Sequence, residues 1–203
     1  MSSTLSWELP EVHSDPPPEA IAYCEAAAGS IAIAIPTRDS LRCLVAADVG
    51  RYSLMISHTF RRAVNERVPL TVIAEMLDAA VSGVSMPSVC ATIVDVNTEG
   101  FTVLHRGGPS PLIVRADGTL TRVVPTLPGP PLGPHESRSV TGSGEFEPAA
   151  SGDVMLLTTP GSVESTIRAM ALAATPALAD LRVALRSLGP AEAGNAYALV
   201  EMA

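Results

Sequence analysis

Short apolar runs separated by polar turns open the chain. Residues 21–28 and 31–35 are apolar and parted by Gly29-Ser30, and residues 41–47 follow a polar turn at 37–40. Runs of this length with turn residues between them predict antiparallel strands, although the Ala-rich first run also suits a helix. The period then changes. Met55, Ile56, Phe60 and Val64 recur near helical spacing, and Ile73, Met76, Leu77, Ala80 and Val81 form an i, i+3, i+4, i+7, i+8 stripe. Each stripe predicts a helix that buries one face. Pro69 falls near the start of the second, where a missing N–H does least harm. Strand patterns return at 88–96 and 101–105 around Asn97-Thr98-Glu99-Gly100. They recur at 111–115 and 120–124 around Ala116-Asp117-Gly118-Thr119, where Asp-Gly marks a hairpin. Residues 125–134 hold too many prolines for a regular element. A strand at 154–158, helices at 163–173 and 176–188, and a last strand at 197–202 complete the order.

Strands, two helices, strands, two helices and a strand, paired mostly antiparallel, predict an α+β layered fold. Residues 1–18 are acidic, end in Pro16-Pro17-Pro18 and read as a flexible lead-in, with 19–203 as a single domain. The length agrees, because 203 residues leave no room for two ordinary domains, and 47% apolar content supplies a core for one.

The net charge is −8, and all 13 basic residues are Arg. Without a basic run, neither nucleic acid nor an anionic membrane surface is an expected partner. The missing Lys removes Walker-type phosphate loops and Schiff-base chemistry. Arg51, Arg61, Arg62 and Arg67 form the one local basic cluster, either a solvated helix face or a docking patch for an acidic or phosphorylated partner. Cys24, Cys43 and Cys90 are widely spaced, with no C-x-x-C, and read as buried thiols of a reducing cytosol. Residues 1–10 show no signal-peptide pattern, and no apolar run is long enough to span a membrane, so the expected location is cytoplasmic. His13, His58, His105 and His135 stand apart, without H-E-x-x-H, and read as surface or structural. No G-x-S-x-G elbow is present.

Six segments carry a resemblance by their order. Leu44-Val45-Ala46-Ala47-Asp48-Val49 looks like a strand ending in G-D-V, and Ser88 to Asp95 like a strand with F-A-T-A. Arg106-Gly107-Gly108-Pro109-Ser110-Pro111, before an apolar strand, stands where A-G-H-P-P would, and Asp117-Gly118 matches the following hairpin. Pro130-Pro131-Leu132-Gly133 is similar to G-x-P-L-G, and residues 152–161 (G-D-V-M-L-L-T-T-P-G) to G-D-x-L-L-L-Y-T-D-G. Together they resemble the SpoIIE-type branch of the metal-dependent (type 2C, PPM) protein serine/threonine phosphatases, over roughly Gly29 to Met202. The resemblance implies a sandwich of two antiparallel β-sheets flanked by helix pairs. It also implies a pair of Mn²⁺ or Mg²⁺ ions at one end of the sandwich, whose bridging water attacks a phosphoserine phosphorus.

In that family four acidic positions hold the ions. Here Ser30 stands at the first and Asp48 at the second, with the Val49 carbonyl beside it. Pro160 stands at the third and Asn195 at the fourth. Arg51 and Ser53 occupy expected glycine positions after Asp48, and Asp153 is a turn acid that cannot replace a ligand. One carboxylate cannot organise a two-metal pair, so no cofactor is expected. Asp48 reads as a turn or capping acid, a residual single-metal ligand or a partner contact. The resemblance therefore points to a degenerate, inactive regulatory protein acting by protein–protein contact. It implies partners such as a STAS-domain antagonist or an anti-sigma kinase in partner switching. The alternative is a divergent phosphoserine/threonine phosphatase with rearranged ligands that uses Mn or Mg. Homodimerisation is left open.

Overall fold

The computed structural model describes residues 20–82, 88–133, 142, 144–160, 177–187 and 195–202. The lead-in at 1–18, the helix expected at 163–173, His13 and His135 lie outside the described residues, as does the side chain of Arg51.

The strands are β1 (Ala20–Ala26), β2 (Ile31–Pro36), β3 (Leu41–Ala46), β4 (Ala91–Asn97), β5 (Gly100–Arg106), β6 (Leu112–Val114), β7 (Leu120–Arg122), β8 (Glu145–Pro148), β9 (Val154–Thr158) and β10 (Ala196–Met202). A 3₁₀ turn (Gly50–Tyr52) leads into α1 (Ser53–Asn65), followed by α2 (Leu70–Ser82); α3 (Leu178–Ser187) precedes β10. The strands form two antiparallel sheets, ordered β1-β10-β9-β6-β7 and β2-β3-β4-β5-β8.

The near-continuous apolar runs follow from layering. A sheet covered on both faces needs apolar side chains pointing both ways. On β3, Leu41, Cys43 and Val45 enter the core between the sheets, whereas Leu44 and Ala46 pack towards α1 and α2. On β10, Ala196, Ala198 and Val200 face the other sheet, and Tyr197 and Leu199 pack with Leu181 and Leu185 of α3. The order of layers is thus α1 and α2, sheet, sheet, α3. The helical stripes bury Ile56, Phe60 and Val64 on α1, and Ile73, Leu77 and Val81 on α2. On the α3-facing side of the β1–β10 sheet, the Tyr23 and Tyr197 hydroxyls both donate to Glu25 Oε2, at 2.7 and 2.8 Å. Arg182 of α3 lies over the Tyr23 ring.

The structure decides one alternative left open by the sequence and departs from expectation in two details. The first run is a strand, because it pairs with β10 along its whole length and sends Ala20, Ala22 and Cys24 into the inter-sheet core. The ladder expected from Ser88 starts at Ala91, since Val89 exchanges both backbone hydrogen bonds with Leu132 (2.8 Å each) and so ties down the proline-rich segment. Edge strand β8 was not anticipated. It pairs with β5 so closely that a Cβ on Gly100 would collide with the Glu147 carbonyl oxygen.

Candidate functional site

Strand polarity brings five chain segments to one end of the sandwich. β1 ends at Ala26 beside the start of β10 at Ala196, and β2 starts at Ile31 beside the end of β3 at Ala46. Ala46 also pairs with Ala91 at the start of β4. β9 leaves at Thr158, next to Tyr197. Ser30, Asp48, Val49, Pro160 and Asn195 all lie in the segments that leave or enter these strands.

Hydrogen bonds join the segments. Ser30 is 8% exposed. Its hydroxyl lies 2.8 Å from the Ala27 carbonyl oxygen and 2.6 Å from that of Asn195. The Ala27 N–H also donates to Asn195 O (2.8 Å), and the Val49 N–H to Gly29 O (3.1 Å). Thr159 N–H donates to Ala196 O (3.0 Å), and the Ala196 N–H to Thr159 Oγ1 (2.9 Å). Pro160 and Asn195 flank this last pair.

Asp48 is exposed and has φ 62°, in the left-handed region that Asp tolerates better than most residues. Val49 is fully buried, and its carbonyl accepts the Tyr52 N–H at 2.9 Å as the 3₁₀ turn begins. Cys90, half-buried, stands close enough to Asp48 to feel its charge. Burial first, and Asp48 second, raise its thiol pKa. The sequence reading did not place Cys90 here, although the register of the two flanking strands brings the residue before Ala91 next to the exit of β3.

Asp153 sits at the far end of β9. It is 3% exposed and accepts from the Ala150 and Ala116 amides (3.0 Å each) and from Arg115 (2.9 Å). Burial opposes its charge, but these bonds outweigh burial and hold its carboxyl below the usual range. Among the described residues no three His, Cys, Asp or Glu side chains converge as a metal-holding group.

Of the four arginines, Arg61, Arg62 and Arg67 have described side chains. Arg61 and Arg62 are exposed on α1, and Arg62 pairs with Glu66 at 2.8 Å. Arg67, exposed with φ 56°, follows the helix. Arg51 belongs to the 3₁₀ turn at the site end, about 15 Å along the helix direction from Arg61.

Two face-to-face antiparallel sheets with helices outside them, and a site end assembled from these loops, define a PP2C-type phosphatase fold. The chain belongs to the SpoIIE family: residues 50–197 match the family model described as Stage II sporulation protein E (SpoIIE). The PP2C phosphatase domain of SpoIIE from Bacillus subtilis, solved with a fragment of its regulatory domain, superposes with a TM-score of 0.71 at 12% identity. That match covers 90% of this chain and 63% of the other. The RsbU and RsbW domains of Rv1364c from Mycobacterium tuberculosis superpose with a TM-score of 0.69 at 22% identity, covering 91% and 60%. This chain thus spans less than two thirds of either. The catalytic domain of the serine threonine protein phosphatase PstP, solved with two manganese ions, gives a TM-score of 0.58 at 15% identity, covering 90% and 96%. No curated protein matches the chain in sequence. No helix among the described residues is long and apolar enough to cross a membrane.

Proposed function

We propose that this protein is a catalytically inactive, SpoIIE-like regulator of the cytoplasm, folded as one domain from residue 19 onward, that works by protein–protein contact. The observation carrying this reading is the donor set at the site end. Of the positions that would hold a pair of hard dications, only Asp48 offers a carboxylate. Ser30 turns its hydroxyl towards two carbonyl oxygens, the Val49 carbonyl already accepts a backbone N–H, and Pro160 has no side-chain donor. Hard cations need several anionic oxygens, and this set does not fit two of them. Partner switching supplies the context: one structural neighbour carries RsbU and RsbW domains, and another comes from work on the bacterial stressosome. The partner we propose is a STAS-domain protein or an anti-sigma kinase, docking on the basic end of α1 at Arg61, Arg62 and Arg67.

Asp48 supports a second reading. It keeps an exposed carboxylate in a strained conformation at the site end, as a divergent Mn- or Mg-dependent phosphatase would require. Calorimetric titration with Mn²⁺, paired with phosphoserine-peptide hydrolysis, separates the two. The regulatory reading expects no saturable two-ion binding and no turnover above buffer. Binding of two ions, or turnover that Asp48→Ala abolishes, establishes the phosphatase instead.

A further inference from the structure

We propose that a hydrogen-bonded clasp centred on the Ser30 hydroxyl closes the site end of the sandwich, and that the closure needs no divalent cation. The proposal rests on the regulatory reading above. Ser30 Oγ faces two acceptors, Ala27 O at 2.8 Å and Asn195 O at 2.6 Å, and so can only act towards them as a donor. Asn195 lies 165 residues along the chain, so the contact ties the turn between β1 and β2 to the lead-in of β10. The Val49 N–H to Gly29 O bond attaches the exit of β3 to the same turn. The reciprocal Thr159–Ala196 bonds attach the exit of β9 to the same lead-in. Four segments from both sheets are therefore held by direct donor–acceptor pairs. The donors Ala27, Ser30, Val49, Thr159 and Ala196 are at least partly buried, whereas Asp48 and Pro160 stay exposed at the rim.

The identity of residue 30 is what makes this possible. A carboxylate there would set anionic oxygen against two carbonyl oxygens, an arrangement that repels unless a cation lies between. A hydroxyl brings its own positive end. The exchange of acid for Ser at this position thus removes an electrostatic need for a metal as well as a ligand.

Thermal unfolding of the full chain, in EDTA and in millimolar MnCl₂, tests the clasp. The wild-type midpoints coincide in the two buffers. Ser30→Ala, which leaves both carbonyls without the hydroxyl, lowers the midpoint by roughly 3–8 °C in both. In EDTA, Ser30→Asp falls below Ser30→Ala. If Ser30→Ala does not fold, amide exchange of the wild type replaces it, and the Ala27, Val49 and Ala196 amides are equally protected in both buffers. Ser30→Ala melting with the wild type, Ser30→Asp melting at or above Ser30→Ala in EDTA, or protection appearing only with Mn²⁺ overturns the clasp. The two readings fail separately. A wild-type midpoint indifferent to Mn²⁺ alongside a silent Ser30→Ala sinks the clasp alone, whereas saturable binding of two Mn²⁺ ions sinks the regulatory reading beneath it.

Discussion

His105 sits directly across from Thr92 in the β4–β5 ladder and is 2% exposed. Among the described residues, neither of its ring nitrogens has a hydrogen-bonding partner, and neither does Thr92 Oγ1. Burial pushes the imidazole pKa down to about 4 from 6.5, and the charge of Glu145 only partly opposes this. The native state therefore keeps the ring neutral where the unfolded chain would already bind a proton. As pH falls below 6.5 the unfolded state gains protons first, so stability declines until the pH reaches about 4 and the cost then levels off. The loss amounts to at most about 3 kcal/mol. Urea unfolding of the wild type at pH 7 and pH 4.5 should show this loss. His105→Leu should abolish that component of the slope, and an unchanged slope would assign the acid sensitivity to other groups. The sequence reading left His105 as surface or structural. Its burial was legible in the alternation Phe101, Val103, His105, where the first two face the inter-sheet core. What no spacing reveals is whether a buried imidazole finds partners.

At the scale of elements, α2 is fixed to the site-end loops by charge as well as by apolar packing. Arg106, 1% exposed at the end of β5, pairs with Asp78 of α2 at 3.1 Å and donates to Pro130 O at 2.8 Å. The other Asp78 oxygen accepts the Gly133 N–H at 2.9 Å. The Asp78 carboxylate thus pairs with a buried guanidinium and pins the Pro-rich segment. Asp78→Ala should cost about 2–4 kcal/mol in urea unfolding, because it removes an ion-pair partner from a buried guanidinium and an acceptor from the Gly133 N–H. Asp78→Asn should cost less, since it keeps an acceptor. The helices and long strands were legible because their apolar periods are sustained over several turns or pairs. β8 was not, because Glu-Phe-Glu-Pro is an edge strand whose pairing with β5 is set by tertiary context and not by its own composition. The convergence of Ser30 and Asn195 was visible only through the family resemblance, since contacts across 165 residues leave no local trace.

At the scale of the whole molecule, an acidic chain of net charge −8 exposes Arg61, Arg62 and Arg67 towards one end of α1. Exposed charges contribute little to folding but steer association. Arg61→Glu with Arg62→Glu should leave the melting temperature nearly unchanged. It should weaken binding of a purified STAS-domain protein or anti-sigma kinase from the same genome by tenfold or more, and the wild-type affinity should fall as salt rises. Binding insensitive to both changes would move the docking site elsewhere.

The outermost pairing of β1 with β10 is Ala20 against Met202, and the innermost, Ala26 against Ala196, lies at the site end. Seven residues of strand, about 20 Å, separate the two. Cargo joined to the backbone at either of these two residues leaves from a common corner, across the sandwich from Ser30 and Asp48. A fluorophore, a solid support or a fused module placed there would leave the opposite rim open to solution.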